Sequence, residues 1–259
     1  MSVADKIKLR LYIKKLQSQK KKRDHVVVAS DWDRGAWNKK YEDIDFESAV
    51  GIIGKDPNSH SLFVKDGNIF KGKWVDWVEK YEEQLLNIIT NHADHPIVEL
   101  GCGLGRHLFS LHKKGFTRLD GYDVSENAIS LAKRHSTEKG YDIGFGVLDI
   151  TRPLPEGIIK DKLVFTHACL EQLKHYMTDV LQNILDGKPK LVINFEVDYS
   201  SVDSLVKQYI DALDYQNNLV SELHKLEKQN KINIISIEKL SLSLSPVNRL
   251  SSIIWKPID

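Results

Sequence analysis

Short apolar runs alternate with amphipathic stretches of helical length from residue 97 onward. The runs are IVEL at 97–100, RLDGYDV at 118–124, IGFGVLDI at 143–150, DKLVFTHA at 161–168 and KLVINFEV at 190–197. The stretches between them predict helices over 106–114, 125–140 and 171–186. Such alternation is typical of parallel strands joined by crossover helices. The pattern therefore predicts an α/β fold with a doubly wound, mostly parallel sheet.

The end of the chain departs from this pattern. A long amphipathic stretch predicts a helix over about 202–229, and two apolar runs follow it at 232–244 and 249–258. The linker 245–248 is too short for a parallel crossover, so we expect the two runs to pair as an antiparallel hairpin. The sheet then has seven strands, and its last strand is antiparallel.

Three glycines at alternate positions, Gly101, Gly103 and Gly105, stand where the first of these strands meets its helix. Glycine permits positive φ and lets a ligand approach the backbone closely, and a helix N-terminus attracts anionic groups. Asp123 closes the second strand and Asp149 lies at the end of the third. Together these residues indicate a ligand at the carboxyl ends of the strands. The alternative for the glycines is a tight strand-to-helix connection that holds nothing.

Composition narrows the possible partners. The 259 residues are 41% hydrophobic, which suits one sizeable globular domain with an added subdomain. Lys and Arg total 37 against 36 Asp and Glu, a net charge of +1 that favours neither nucleic acid nor a membrane as partner. Residues 1–24 are locally basic, with nine Lys or Arg and two Asp.

Cysteine usage and the N-terminus bear on the compartment. Cys102 and Cys169 are too few for a disulfide framework, and no apolar run approaches the roughly 20 residues that span a bilayer. The N-terminus has charge but no apolar segment of the secretory kind. We therefore expect a reduced, cytoplasmic protein with no membrane association.

With ELGCGLG at 99–105 and a reversed last strand, residues from about 80 to 259 resemble the class I S-adenosylmethionine-dependent methyltransferases. The first motif of that family is an acidic residue followed by Gly-x-Gly-x-Gly at the end of the first strand. Dinucleotide-binding folds prefer Gly-x-Gly-x-x-Gly, whose third glycine falls one place later, where this chain has Arg106. A nicotinamide-dependent dehydrogenase is therefore the disfavoured alternative.

The resemblance implies a division of the chain. Residues 81–259 would form the methyltransferase domain, and residues 1–80 an N-terminal helical or irregular lid that covers the cofactor and binds substrate. Trp32, Trp37, Trp74 and Trp77 are candidate lid or pocket residues. The alternative for Trp74 and Trp77 is a helix that packs on the core, because apolar residues recur there at three- and four-residue steps.

The resemblance also implies a site for S-adenosylmethionine and its product S-adenosylhomocysteine. Glu99 would act on the amino group of the cofactor, Asp123 on the ribose hydroxyls and Asp149 on the adenine amine. The alternatives are strand-end solvation for Glu99, an acid favoured by a helix dipole for Asp123, and a local turn for Asp149. The full set of expected cofactor residues is Glu99, Gly101, Cys102, Gly103, Gly105, Asp123, Val124, Asp149, Ile150 and Thr166.

Candidate catalytic residues follow the fourth strand, in FTHACLEQLKHY at 165–176. Ligands of open α/β sheets bind beyond the carboxyl ends of strands, so Thr166, His167 and Glu171 are expected to face the transferred methyl group. A hydroxyl acceptor needs a proton acceptor, and histidine has a suitable pKa range. His167 is the first candidate, with Glu171 orienting it or binding substrate and His175 as a second candidate. The alternative for His167 is a hydrogen-bonded packing role.

No metal site is expected: metal-assisted enzymes use carboxylates at the ends of the fourth and fifth strands together, and although the fifth supplies Glu196 and Asp198, the fourth offers none before Glu171. The segment THAC at 166–169 lacks the Asn- or Asp-Pro-Pro-aromatic motif of enzymes that methylate nucleic-acid amines. The sequence therefore favours methyl transfer to an oxygen of a small polar molecule. The general resemblance extends to enzymes of bacterial surface-polysaccharide pathways, whose acceptors are sugars, nucleotide-sugars or phosphate-type intermediates.

An RNA- or ribosome-associated methyltransferase that uses the basic N-terminus is the alternative function. A solvated amphipathic helix explains the same charges, so a small-molecule acceptor is favoured over nucleic acid. The sequence is compatible with a monomer or a homodimer.

Overall fold

The computed structural model describes residues 58–258 together with Arg10, Leu11, Ile13 and Lys14. Its strands are β1 His60–Lys65, β2 Asn68–Lys73, β3 Ile97–Leu100, β4 Leu119–Asp123, β5 Ile143–Val147, β6 Leu163–His167, β7 Leu191–Val197, β8 Ile232–Lys239, β9 Leu242–Ser243 and β10 Leu250–Pro257. Its helices are α1 Trp74–Thr90, α2 Arg106–Lys113, α3 Glu126–Lys139, α4 Met177–Asp186, α5 Ser204–Ala212 and α6 Leu219–Lys228.

Seven strands form the main sheet in the order β5-β4-β3-β6-β7-β10-β8. Neighbours from β5 to β7 are parallel, whereas β10 is antiparallel to both β7 and β8. The predicted seven-stranded, mostly parallel sheet with an antiparallel last strand is therefore confirmed. The order reverses between β3 and β6, which lie side by side although two helices and two strands separate them in the chain.

Helices cover both faces of this sheet, as the doubly wound pattern requires. One apolar layer joins α1, α2 and α3 to the sheet, and the other joins α4 and α6 to it. The central strands are buried on both faces, so their sequences are continuous apolar runs and do not alternate between apolar and polar residues. The exceptions are Glu99 on β3, Thr166 on β6, and Asn194 and Glu196 on β7, which are polar yet at most 1% exposed.

Helix α3 shows the predicted capping. The Ser125 side chain accepts a hydrogen bond from the Ala128 N–H at 3.2 Å, and Gly140 ends the helix with φ of 66°. These two residues fix the bounds of a helix with a weak apolar face.

The helix predicted over 171–186 begins later, at Met177. Two 3₁₀ turns, Leu170–Gln172 and Lys174–Tyr176, precede it. The reason lies in a neighbouring strand, because the Glu196 carboxylate accepts hydrogen bonds from the backbone of Cys169 and Leu170 and holds the chain in a tighter path. The prediction of one continuous helix here was wrong.

The helix predicted over 202–229 is two helices, α5 and α6, joined by an irregular segment at 213–218. Asp214 takes a positive φ of 56° there. Gln216 anchors the segment, since its side chain donates to the Val197 carbonyl and accepts from the Leu219 N–H. Periodicity did not detect the break, because apolar residues on α5 and α6 keep a similar spacing.

A β-hairpin, β1–β2, lies where the sequence analysis predicts an irregular segment. Asp66 and Gly67 form its turn with φ of 49° and 82°, and Asp-Gly between two apolar strands is a known hairpin signal. Strand β9 adds to β1, so the apolar run predicted over 232–244 is divided between two sheets.

Trp74 and Trp77 at the start of α1 pack against this hairpin. The ring of Trp77 lies 4.5 Å from that of Phe70, and the ring of Trp74 lies 6.0 Å from that of Phe63. These contacts support the packing alternative for the pair. Trp32 and Trp37 lie outside the described residues.

The division of the chain at residue 80 stays a prediction, and α1 runs through that position. Most of the basic segment 1–24 lies outside the described residues, although Ile13 packs against Leu205 and Ala212 of α5. Among the described helices, none combines the length and the apolar character that crossing a bilayer requires.

We expect Trp255→Phe to lower the free energy of unfolding by about 2–4 kcal/mol, because it leaves a cavity and removes the partner of a buried amide oxygen. Trp255 is fully buried on β10, and its Nε1–H donates to Asn194 Oδ1 at 2.8 Å. Urea-induced unfolding followed by circular dichroism measures the change. Ile235→Val, at a side chain 47% exposed on β8, is the control and should have little effect.

Candidate active site

A cavity of about 300 Å³ opens at the carboxyl ends of β3, β4, β5 and β6. This is the point where the strand order reverses, and open α/β sheets bind ligands at such a point. Ligand pockets span about 300–1,000 Å³, so the cavity is large enough for a small molecule. Of the predicted cofactor and catalytic residues, all except Gly105, Thr166 and the second-choice histidine His175 line it.

The glycine turn forms the floor of the cavity. Gly101 and Gly103 have φ of 74° and 51°, and the Gly101 and Cys102 N–H groups donate to the Tyr122 carbonyl at 2.7 and 3.0 Å. A Cβ atom on Gly101 would collide with the Cys169 side chain, so glycine is required where this turn meets the segment after β6. Gly105 also has a positive φ, of 76°, and a Cβ there would lie 2.6 Å from the Phe145 ring. Gly105 therefore serves packing rather than the cavity surface.

Glu99 lies at the back of the turn, 1% exposed. Its Oε1 contacts His107 Nδ1 at 2.7 Å, while Oε2 is buried and has no hydrogen-bond partner among the described residues. Burial raises the pKa of Glu99, and the neighbouring His107 opposes that rise. An unpartnered carboxylate oxygen at a cavity wall is suited to an ammonium group of a ligand.

His107 connects Glu99 to Arg106. The Arg106 guanidinium lies 3.2 Å from His107 Nε2, and because a guanidinium only donates, Nε2 must be the acceptor. The proton of His107 is then on Nδ1, where it donates to Glu99. Arg106 also lies 3.7 Å from Glu82 of α1.

Asp123 ends β4 and stabilises the glycine turn from the other side. Its Oδ2 accepts from the Gly103 N–H at 2.8 Å, and its Oδ1 accepts from the Ser125 N–H at 2.9 Å. A carboxylate oxygen can accept more than one hydrogen bond, so a carboxylate in this position is of the type that binds ligand hydroxyls. Val124 beside it also lines the cavity.

Asp149 and Ile150 lie on the cavity wall after β5. Asp149 Oδ1 accepts from the N–H and the hydroxyl of Thr151, at 3.0 and 2.6 Å. Its Oδ2 lies 3.4 Å from the Arg152 guanidinium. Asp149 thus stabilises a local turn, which is the alternative given for it in the sequence analysis. It also lines the cavity.

His167 lies at the end of β6 and lines the cavity. Its Nε2 lies 2.9 Å from the Tyr81 hydroxyl, and its ring centre lies 4.7 Å from that of His107. Burial, followed by the charges of His107 and Arg106, lowers the pKa of His167 well below its ordinary value. His167 is therefore neutral at physiological pH.

Glu196 on β7 holds the loop that follows His167. It is fully buried, and its Oε1 accepts from the Thr166 hydroxyl and the Cys169 and Leu170 N–H groups, each at 3.0 Å. Thr166 is equally buried and also accepts from Asn194, so it supports the loop from behind instead of facing the cavity. Burial is the largest cause that raises the pKa of Glu196, to about 8.

Glu171 lines the cavity on the far side of this loop. Its Oε2 accepts from the Asn248 side chain at 3.0 Å, which links the cavity to the segment before β10. His175 is exposed and contacts Asp214 at 2.8 Å, and it does not line the cavity. This placement favours His167 over His175 as the residue that meets the acceptor.

The sequence analysis did not identify Tyr81, His107 and Glu196 as site residues. Glu196 carried a signal, because an acidic residue within an apolar strand must have a specific partner. Tyr81 and His107 carried none, since each follows a helical spacing that explains it as packing. Within the described part of the chain, no three His, Cys, Asp or Glu residues are grouped to hold a metal ion.

Residues 91–239, more than half of the chain, match the profile of a family described as "Methyltransferase domain". The chain belongs to this family. With the fold and the cavity described above, it is a class I S-adenosylmethionine-dependent methyltransferase, which produces S-adenosylhomocysteine. No curated protein matches the chain in sequence.

Solved structures of two methyltransferases and a cyclase share the fold. Magnesium protoporphyrin IX methyltransferase from Synechocystis PCC 6803, with bound S-adenosylhomocysteine, has a TM-score of 0.59 at 13% identity, over 90% of this chain and 99% of that one. Geranyl diphosphate C-methyltransferase from Streptomyces coelicolor A3(2) has a TM-score of 0.59 at 13% identity, over 89% and 98%. The cyclase SpnF has a TM-score of 0.58 at 13% identity, over 78% and 90%. Identities this low establish the fold alone.

The polar groups that line the cavity match the polar groups of S-adenosylmethionine. The buried, unpartnered Oε2 of Glu99 suits an α-ammonium group, and the two oxygens of Asp123 suit a pair of hydroxyls. Bare backbone at Gly101 and Gly103 leaves room between them. The individual roles of these residues stay predictions.

We expect Asp123→Ala to weaken S-adenosylhomocysteine binding by at least about 100-fold, since it removes two charge-assisted hydrogen bonds worth about 1.5–3 kcal/mol each. Titration calorimetry measures the affinity. Asp120→Ala is the control, because Asp120 pairs with Lys162 at 2.9 Å and does not line the cavity. Unchanged affinity in a folded Asp123→Ala protein would contradict the role given to this carboxylate.

The substitution Glu196→Gln tests whether the buried side chain of Glu196 makes the stability of the protein depend on pH. The pKa of Glu196 rises from 4.5 to about 8 on folding, so the folded protein keeps a proton that the unfolded chain releases between those values. The contribution of Glu196 to the free energy of unfolding therefore falls as the pH rises from 4.5 to about 8. The melting temperature of Glu196→Gln relative to the native protein should rise between pH 5 and pH 9 by at least about 2 °C, equivalent to about 1 kcal/mol.

The control for this measurement is Glu238→Gln, at an exposed position on β8. Its melting temperature relative to the native protein should stay constant over the same range. A constant difference for Glu196→Gln as well would show that Glu196 is ionised in the folded protein at neutral pH.

Proposed function

We propose that this methyltransferase transfers the methyl group to an oxygen of a small polar acceptor, of the sugar, nucleotide-sugar or phosphate-type class found in surface-polysaccharide biosynthesis. The observation that carries the proposal is His167. A neutral imidazole stands at the end of β6, on the wall of the cofactor cavity and beside the glycine turn. A neutral imidazole can accept the proton of a hydroxyl or donate a hydrogen bond to an oxygen anion, so it suits an oxygen acceptor.

The cofactor supplies an activated methyl group on a sulfonium, so the protein's main task is alignment. Glu99 and Asp123 fix the two ends of the donor, and the turn between them keeps side chains out of its path. Glu196 holds the loop after β6 rigid by three hydrogen bonds of 3.0 Å, which sets the position of His167 relative to the turn.

His167 can serve an oxygen acceptor in two ways. A bare ring nitrogen facing the cavity would accept the proton of a hydroxyl, which is the role suggested by the sequence. A ring N–H facing the cavity would instead donate a hydrogen bond to an oxygen that is already ionised. Glu171, held by Asn248, borders the same space and is suited to accept from further hydroxyls of the acceptor.

The charged residues that line the cavity suit a small polar acceptor better than they suit a nucleic acid. Among the described residues its lining has four carboxylates, of Glu99, Asp123, Asp149 and Glu171, and one cation, Arg106, so it offers no extended basic surface for a nucleic-acid backbone. The basic segment 1–24 lies mostly outside the described residues, so the RNA-associated alternative stays a prediction.

The test is a screen of sugars, sugar phosphates, uronic acids and nucleotide-sugars, with release of S-adenosylhomocysteine as the readout. We expect turnover with at least one of these classes. We also expect His167→Ala to bind S-adenosylhomocysteine within about 3-fold of the native protein while turnover falls by about 100-fold, the scale of one acid–base or hydrogen-bonding group.

His175→Ala is the matched control, because that histidine is exposed and does not line the cavity. It should retain turnover. Equal losses of binding and turnover in His167→Ala would remove this residue from the reaction, and turnover confined to amine acceptors would overturn the proposed function.

A further inference from the structure

The direction of one buried hydrogen bond determines what His167 presents to the acceptor. Tyr81 is 3% exposed, and its hydroxyl has a single hydrogen-bond partner among the described residues, His167 Nε2 at 2.9 Å. Burial raises the pKa of Tyr81, so the hydroxyl keeps its proton. If this O–H did not donate to Nε2, it would be a buried donor without an acceptor, which is the costlier arrangement. Tyr81 therefore donates and Nε2 accepts.

The proton of the neutral ring is then on the other nitrogen. A neutral imidazole carries one proton, and Nε2 is occupied as an acceptor, so Nδ1 carries it. Nδ1 makes no hydrogen bond to a described residue and is not among the buried unpartnered atoms, so it is accessible from the cavity that His167 lines. What His167 offers to the acceptor is an N–H donor and not a bare nitrogen.

The charge of a neighbouring side chain is consistent with His167 donating a hydrogen bond to an anionic acceptor. Arg106 at the start of α2 lines the cavity, and among the described residues it is the one cation to do so. His107, neutral between Arg106 and Glu99, adds no charge of its own. A hydroxyl acceptor would find no proton acceptor at His167, whereas an ionised oxygen would find an N–H and a nearby positive charge.

We propose that the acceptor oxygen is a carboxylate or phosphate-ester oxygen, ionised at neutral pH, and that His167 positions it through the Nδ1–H that Tyr81 enforces. The inference deepens the proposed function and rests on it. The acceptor oxygen supplies the electron pair for the new C–O bond as the C–S bond breaks. Its negative charge and the positive charge of the sulfonium cancel, so the reaction needs no proton transfer and no base.

The first test needs no acceptor. The nitrogen-15 shifts of a histidine side chain identify the protonated ring nitrogen, and the spectrum of His167→Asn assigns the signals. We expect Nδ1–H for His167 at pH 7 and a shift toward Nε2–H in Tyr81→Phe, where the donor is gone. Tyr141→Phe, at a tyrosine that packs beside Phe109 away from the cavity, is the control and should leave the tautomer unchanged.

The second test compares matched acceptors that share one ring. Glucose offers hydroxyls only, glucuronate adds a carboxylate, and glucose 6-phosphate adds a phosphate ester. We expect methyl transfer to glucuronate or glucose 6-phosphate at least 10-fold faster than to glucose, and the preferred member of the pair distinguishes the two anions. Tyr81→Phe should reduce this preference more than it reduces affinity for S-adenosylhomocysteine.

An Nε2–H tautomer in the native protein, or faster transfer to glucose than to both anions, would overturn the inference. Absence of transfer to all three would count against the sugar-type acceptor of the proposed function. The nitrogen-15 shifts would still decide the tautomer in that case, so the two failures are distinguishable.

Discussion

The cavity depends on the Glu196 carboxylate, buried at the end of β7. Burial disfavours the charged form of this group and raises its pKa to about 8, and its Oε1 accepts three hydrogen bonds, from the Thr166 hydroxyl of β6 and from two N–H groups of the loop after β6. The loop carries Cys169 against Gly101, so the path of the glycine turn and the path of this loop are fixed together. One acidic side chain from a neighbouring strand thereby helps to set the position of the glycine turn relative to His167, the residue proposed to meet the acceptor.

A second polar network lies under the opposite wall and is built on the same principle. Arg106 donates to His107 and His107 donates to Glu99, which leaves one oxygen of Glu99 for the ligand. Tyr81 fixes His167 next to this network. Glu196 and Tyr81 do not line the cavity, yet each orients a segment or side chain that does, because a buried donor must find an acceptor.

The half of the site that holds the cofactor could be predicted from sequence, since its residues lie at strand ends within one run of alternating elements. Gly101, Gly103 and Asp123 are close in the chain and belong to a recognisable spacing. The acceptor side could not be predicted in the same way. Tyr81 and His167 are 86 residues apart, and Glu171 and Asn248 are 77 apart, so nothing local pairs them. The breaks at Met177 and at 213–218 have the same origin, because long-range hydrogen bonds to Glu196 and Val197 override helical periodicity there.

Because the site is divided in this way, the fold identifies the methyl donor but not the methyl acceptor. The solved structures that resemble this chain include a porphyrin methyltransferase, a C-methyltransferase of geranyl diphosphate and a cyclase. What they share with it is the fold. On the function proposed here, the acceptor is selected where α1 and the loop after β6 meet. In this chain the meeting point is a tyrosine hydroxyl and an imidazole 2.9 Å apart, and the direction of that hydrogen bond separates an enzyme that must remove a proton from one that needs only to hold an anion.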